Sequence, residues 1–289
     1  MLFSYKELAR LVDLSSFTPD TLAKRLTFAG FEVEGISPLA SGSKLCIGQV
    51  LTCEKHPDSD HLHVLTVDCG KEGILDIVCG APNVRKGLKV IVALVGCELP
   101  ALHETIKKGT IRGKESNGMC CSLLELGVNK DALEENSPSL NGIEELPEDA
   151  PVGCEDVLAY LGLDDTILDV NVLPNRPDCL SYIGLAREIA SLTGGKLSPV
   201  PVFENKYEDK VKSTSLTSSC PRFDMLSLRN VVAKKESPAW AKRLLLANGI
   251  RPVMPLVDLG NVAMLLSGEP FNLYDASKNK TSEIGRAHV

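Results

Sequence analysis

Between Ile47 and Gly127 the chain is built from short β-branched runs, each cut off by Gly, Pro, Asn or Asp before a helical period can establish itself. Two turn-rich passages set the rhythm. His56-Pro57-Asp58-Ser59-Asp60-His61-Leu62 feeds Val64, Leu65 and Val67, and Val78-Cys79-Gly80-Ala81-Pro82-Asn83-Val84-Arg85 feeds the run Lys89 to Val95. Runs of this length and spacing predict the strands of a small closed β-barrel rather than helices.

The flanks have a different period. Ser4 and Glu7 have the spacing of a capping box ahead of Leu8, Leu11 and Val12. Thr18-Pro19 opens a second helix carrying Leu22, Leu26 and Ala29 up to Gly30, and Phe31 to Ile36 alternates like an edge strand. Residues 1–38 are too short to bury these apolar stripes alone. A matching face is predicted much later, in Val157 to Leu161, in Ile167 to Val172 and in a helix with Leu180, Ile183, Ala186 and Ala190 that stops at Gly194-Gly195. The barrel, residues 39–150, is therefore read as an insertion into a discontinuous domain made of residues 1–38 and 151–197. Termini of an inserted domain usually lie close together, which makes the arrangement easy to accommodate.

Residues 198–219 read as a polar linker. Cys220-Pro221-Arg222-Phe223 then opens a strand through Val232, Ser237-Pro238 caps a helix with Trp240, Leu244 and Leu245, and Leu256 to Leu266 starts a further unit. Residues 284–289 have no structural logic and read as a translated sequencing adapter.

Composition narrows the function. The net charge of −7 opposes indiscriminate binding to polyanions, and aromatics at 4% leave little for base stacking. Any nucleic-acid contact must be local and salt-sensitive. The dense basic cluster is Lys107, Lys108, Arg112 and Lys114 around the turn Gly109 to Gly113, with Arg85, Lys86 and Lys89 on another loop. These seven are the candidate nucleic-acid-binding residues; the alternative is a solvated lysine surface. His56, Asp58, Asp60, His61 and His63 are dense enough to suggest zinc but offer no clear fourth ligand, so a turn capped by Asp58 and Asp60 is the competing reading. No metal site and no catalytic residue is assigned: there is no Gly-x-Ser-x-Gly, no Walker-type loop and no convincing Cys–His pair. Ten cysteines without a C-x-x-C pair read as reduced, small hydrophobes, several of them (Cys46, Cys53, Cys69, Cys79, Cys97) in strands. With no signal peptide and no membrane-length apolar run, a cytoplasmic location is expected.

Taken in order, these pieces resemble the front of the bacterial phenylalanyl-tRNA synthetase β subunits. The resemblance is carried by His56-Pro57-Asp58-Ser59-Asp60, Asp76 to Asn83, Gly113 with Ser116-Asn117-Gly118-Met119, Pro174-Asn175-Arg176-Pro177-Asp178-Cys179-Leu180, Gly184 to Glu188, Cys220 to Phe223 and Gly249-Ile250-Arg251-Pro252. It implies an α+β multidomain fold: an OB-fold tRNA-binding barrel inserted in a small discontinuous α/β domain, then the incomplete start of an editing-type (B3/B4-like) domain over 220–283. It implies partners, tRNA(Phe) and a separate catalytic α subunit in an α2β2 heterotetramer, and it implies ATP and Mg2+ for the complete synthetase but none for this fragment. A free-standing OB-fold tRNA-binding or chaperone protein is the alternative. The resemblance also places an editing-pocket remnant at Asn261 and Asn272, with Asn272 standing where the family usually has His. Asn hydrogen-bonds but does not titrate near neutral pH, so weak Tyr-tRNA hydrolysis is expected.

Overall fold

The computed structural model describes residues 1–102, 104–199, 218 and 236–275. The strand expected to begin at Cys220 and residues 284–289 lie outside them.

The chain opens on a strand that the sequence did not advertise. β1 (Leu2–Ser4) runs directly into α1 (Tyr5–Leu11). Three residues ahead of a capped helix are too few to show alternation. Ser4 caps α1, its oxygen accepting the Glu7 amide at 3.0 Å, but the expected capping box is only half made, because Glu7 turns to Arg10 instead. The reciprocal box occurs one helix later: Thr18 and Thr21 each accept the other's backbone N–H, with Pro19 opening α2 (Pro19–Phe28). β2 (Glu32–Pro38) follows at the edge of a three-stranded antiparallel sheet.

The centre of that sheet comes from far along the chain. β12 (Thr166–Asn171) lies between β1 and β2, pairing Phe3 with Leu168 and Ser37 with Ile167. α4 (Tyr182–Thr193) packs against α1, capped by Ser181, whose oxygen accepts the Gly184 amide. Gly184 is required there: a Cβ would lie 1.7 Å from the Asp178 carbonyl oxygen. Leu180 was expected on this helix, but it lies before its cap and is half exposed, because the 3-10 turn at Pro177–Cys179 must finish first. Arg176 locks that turn. Its guanidinium bonds Asp178 at 2.9 Å and Glu188 on α4 at 2.8 Å, and sits 4.9 Å from the centre of the Phe31 ring. It holds the Asp178 carboxyl down to about 2, while burial pushes the Cys179 thiol up to about 12.

α5 (Ala239–Ala247) and α6 (Pro255–Ser267) do not stand apart. Leu244, Leu245, Val262 and Leu265 are buried in the same cluster as Phe3, Leu8, Leu22, Leu168 and Ile189. The buried Tyr182 hydroxyl joins all three pieces, accepting the Ser4 amide at 2.7 Å and the Asn248 side-chain amide at 3.0 Å. Ser237 was expected to cap α5; its hydroxyl instead donates to the buried Asp258 of α6, which also accepts the Val253 amide at 2.8 Å.

Between β2 and α3 (Val157–Leu161) lies a five-stranded antiparallel sheet. In chain order its strands are β3 (Leu45–Lys55), β4 (His63–Asp68), β5 (Ile74–Cys79), β6 (Lys89–Leu94) and β11 (Gly118–Cys121), arranged β11-β6-β3-β4-β5. Two small hairpins, β7 (Glu98–Leu99) with β8 (Glu104–Thr105) and β9 (Gly109–Ile111) with β10 (Lys114–Ser116), leave the sheet between β6 and β11. β3 serves both halves: Leu45 to Gln49 pairs β6 and Gln49 to Lys55 pairs β4, with an irregularity at Val50/Thr52 inside the second ladder. A bulge of this kind bends a strand and raises its twist. The sheet curls so far that its outer strands meet, the Asn117 amide reaching the Asp76 carbonyl at 2.8 Å and the Val78 amide the Ser116 hydroxyl at 3.1 Å. Alternate residues fill the two faces. Cys46, Val50, Leu65, Val67, Ile77, Val90 and Val92 pack inside, while Leu45, Ile47, Ile91 and Ala93 pack outward against Leu126, Leu133 and Val157. Of the five cysteines expected in strands, Cys69 and Cys97 fall just beyond strand ends, but both are buried.

Candidate nucleic-acid interface

The cationic hairpin is made by its turn. Arg112 and Gly113 form the two-residue loop between Ile111 and Lys114, and both have positive φ, 47° and 80°. That is the primed turn whose twist suits a hairpin, with Arg112 strained in the first position. The strain is held from outside: the Arg112 guanidinium donates to the Asp58 carbonyl at 2.8 Å.

The partner surface is the His56 turn. His56 is buried, its Nδ1 accepts the Asp58 amide at 3.1 Å, and its Nε2 faces the Ile111 carbonyl at 3.3 Å. With Nδ1 accepting, the proton belongs on Nε2, where it donates to the hairpin. The ring, not the carboxylates of Asp58 and Asp60, organises this turn, assisted by Ser59, whose hydroxyl accepts the His61 amide at 3.4 Å. The reading of Asp58 and Asp60 as caps is thus corrected: an imidazole whose two nitrogens face opposite ways satisfies the turn and the hairpin together. Among the described residues no group of three or more His, Cys, Asp or Glu is arranged to hold a metal ion.

The second basic loop behaves differently. Asn83 docks its side-chain amide on Ile143 as a strand would, accepting the Ile143 N–H at 3.1 Å and donating to its carbonyl at 2.8 Å. Gly142 leaves the space, since a Cβ there would meet Asn83 Oδ1 at 2.1 Å. Arg85 grips Glu145 through two bonds of 2.9 and 2.6 Å, holding that carboxyl below the usual carboxylate range. The neighbouring Glu144 is pushed the other way by burial, with the Ser139 hydroxyl donating to it at 2.5 Å. Lys89 donates to the Ala150 carbonyl at 2.6 Å. Arg85 and Lys89 therefore clamp the acidic segment 143–150; Arg85 stays more than half exposed (58%) while paired to Glu145, and Lys86 is exposed beside it.

On the hairpin side Lys107, Lys108 and Lys114 are exposed. Lys108 lies 3.6 Å from Glu115, but both side chains are about two-thirds exposed (66% and 63%), so the pair is weak. Beside the hairpin runs a groove of about 1210 Å³ between Thr110 and Ile111, the Gly80-Ala81-Pro82 corner and the turn at Asn141-Gly142. Cys79, Met119 and Cys120 line it and Lys107 stands at its side; among the described residues no aromatic lines it. Of the seven basic residues singled out, the structure brings four to the hairpin and leaves three on the clamp loop. The contribution of Asn83 was not legible beforehand, although Asn after Ala-Pro at a strand end was a visible signal. Asn261 is half-buried on α6, and Asn272 is exposed in the segment that follows it.

The curled antiparallel sheet and the cationic hairpin at its rim fall within the residues matched by one family model. The model described as "Putative tRNA binding domain" matches residues 45–154, and one described as "B3/4 domain" matches residues 219–288. Curated relatives named phenylalanine–tRNA ligase beta subunit include proteins from Geobacillus kaustophilus, 41% identical over 98% of this chain and 35% of that protein, and from Streptococcus pyogenes, 42% identical over the same shares. The protein of that name from Mannheimia succiniciproducens is 42% identical over 90% of this chain and 32% of its own length. The chain belongs to the phenylalanine–tRNA ligase beta-subunit family and spans about a third of the length of these relatives. Among solved structures, a MetRS related protein from Pyrococcus horikoshii aligns over 44% of this chain and 91% of that one at 21% identity, with a TM-score of only 0.27.

Proposed function

We propose that this chain acts as part of a phenylalanine–tRNA ligase beta subunit, contributing tRNA binding and subunit assembly to the ATP-dependent charging of tRNA(Phe). The observation that carries the reading is identity of about 41% sustained over 98% of the chain, well beyond the residues matched by the tRNA-binding model. A free-standing tRNA-binding or chaperone protein would need only that module.

In this reading the curled sheet is an OB-fold barrel covering 39–150, inserted in a domain made of 1–38 and 151–197. A linker at 198–219 leads to an editing-type domain beginning near residue 220. The catalytic centre, with its ATP and Mg2+, lies on a separate α subunit of an α2β2 assembly in the cytoplasm, and no chemical step is assigned to residues of this chain. Lys107, Lys108 and Lys114 contact tRNA phosphates, with Lys86 at the margin; Arg112 chiefly holds the hairpin, while Arg85 and Lys89 hold the clamp. Asn261 and Asn272 belong to the editing segment. With Asn at 272, Tyr-tRNA hydrolysis is slow even in a full-length version. Rejection of a near-isostere by binding alone is limited, so slow hydrolysis would leave measurable mischarging.

The test is capture of a separate catalytic subunit by the full-length protein, followed by phenylalanylation of tRNA(Phe). Stoichiometric co-purification with charging activity is expected. A full-length protein that binds tRNA and retains no such partner would overturn the reading in favour of the free-standing one.

A further inference from the structure

We propose that Asn141-Gly142 is a self-modifying site, whose spontaneous conversion to aspartate and isoaspartate adds negative charge beside Lys107 and loosens the Asn83 clamp. The chain has three Asn-Gly pairs, at Asn117-Gly118, Asn141-Gly142 and Asn248-Gly249. In such a pair the glycine nitrogen can reach the asparagine side-chain carbonyl carbon, because the glycine has no Cβ to stand in the way. The fold ties down two of the three. Gly118 is buried in β11 opposite Leu94, and the Asn117 amide is bonded to the Asp76 carbonyl at 2.8 Å. The Asn248 carboxamide donates to the Tyr182 hydroxyl at 3.0 Å and to the Leu244 carbonyl at 2.8 Å, while the Gly249 N–H donates to the Leu246 carbonyl at 3.0 Å. The third pair is open. Asn141 is exposed at the end of the 3-10 turn Pro138–Leu140 and lines the groove with Gly142. Among the described residues neither its carboxamide nor the Gly142 N–H has a hydrogen-bond partner.

The Gly142 nitrogen attacks Cγ of Asn141, the new C–N bond closes a succinimide ring, and the side-chain nitrogen leaves with the glycine's proton as ammonia. Water then opens the ring at either carbonyl. Cleavage at Cγ gives aspartate; cleavage at the main-chain carbon gives isoaspartate, whose chain runs through Cβ. One asparagine and one water thus give one acid and one ammonia, with no change of oxidation state. Both products carry a charge the amide lacked. That charge falls in a groove with Lys107 at its side. Isoaspartate also adds a methylene to the main chain just ahead of Ile143, whose N–H and carbonyl both bond Asn83. A Cβ on Gly142 would already meet Asn83 Oδ1 at 2.1 Å. Backbone packed that closely has no room for a longer chain, so the clamp loosens.

The effect on tRNA rests on the reading of the hairpin as the phosphate contact; the modification itself does not. The experiment ages the whole folded chain in mildly alkaline buffer, maps its peptides by mass spectrometry at intervals, and measures tRNA binding and urea unfolding on the same samples. Asn141 should convert at least about tenfold faster than Asn117 and Asn248, which must first open locally. The urea-unfolded chain should lose that preference, and Asn141→Gln should give no early product. Affinity for tRNA should fall by about two- to fivefold on ageing, with the difference shrinking at high salt. Asn141→Asp adds the charge without lengthening the chain, so it should reproduce the loss of affinity and keep the urea midpoint of the fresh protein. The aged chain, rich in isoaspartate, should unfold at lower urea. An Asn141 that stays intact in the folded chain while the unfolded chain converts there would overturn the proposal, as would equal rates at the three pairs. Conversion that leaves tRNA affinity and the urea midpoint unchanged would overturn its consequence. A fresh chain that binds no tRNA defeats the earlier reading alone, and the conversion rates and urea midpoint still decide this one.

Discussion

The loop around Arg85 and the hairpin around Arg112 look alike as sequence: three or four basic residues, a glycine and a strand on either side. In the structure they do opposite work. On the first, Arg85 and Lys89 bond a carboxylate and a carbonyl, and Asn83 completes a clamp on residues 143–150. On the second, one arginine holds the hairpin in place and three lysines remain exposed. A formal charge attracts an anion only to the extent that no internal partner has already taken it up. Composition counts charges and cannot count partners.

The sharpest way to break this contrast is to remove the clamp. Asn83→Ala leaves the N–H and C=O of buried Ile143 without their partners, which should cost about 2–4 kcal/mol in urea unfolding. tRNA affinity per folded molecule should stay unchanged; a matching loss of affinity would show that the two loops are not separate in function.

The converse is charge reversal of Lys107, Lys108 and Lys114 together. Affinity for tRNA should fall by about tenfold or more and the salt slope flatten by about 2. Stability should move by no more than about 0.5 kcal/mol, because the three side chains are exposed. An unaltered salt slope places the contact elsewhere.

A smaller effect is expected from His56→Ala, which releases the hairpin without altering a lysine. Amide exchange in residues 109–116 should accelerate about fivefold, the equivalent of roughly 1 kcal/mol, with the strands of the sheet unchanged.

The smallest is a pH effect confined to the clamp. Because Arg85 lowers the Glu145 pKa in the folded chain, the pair contributes stability above the unfolded carboxylate range and loses it as pH falls through the folded value. Arg85→Ala should flatten that part of the acid limb, read from unfolding midpoints across the carboxylate range, and leave the hairpin's salt-dependent binding intact.

Legibility followed the range of the interaction. Thr18-Pro19, the edge strand after Phe31 and the apolar run that forms β6 are signals carried within a few residues, and each was readable. β1 was not, because its three residues become a strand only against β12, more than 160 positions away. The role of His56 was missed for the same reason: the carbonyl that fixes its tautomer belongs to Ile111. Ser237 looked like a cap because its true partner, Asp258, lies a helix away.

By itself the sequence determined the strand rhythm, most helix starts and membership of the family, since each depends on residue types at fixed short spacing. The tertiary structure alone decided which cations stay free and which side chain organises the His56 turn. Those outcomes depend on where a curled sheet brings its two edges, and edge-to-edge proximity leaves no trace in local spacing.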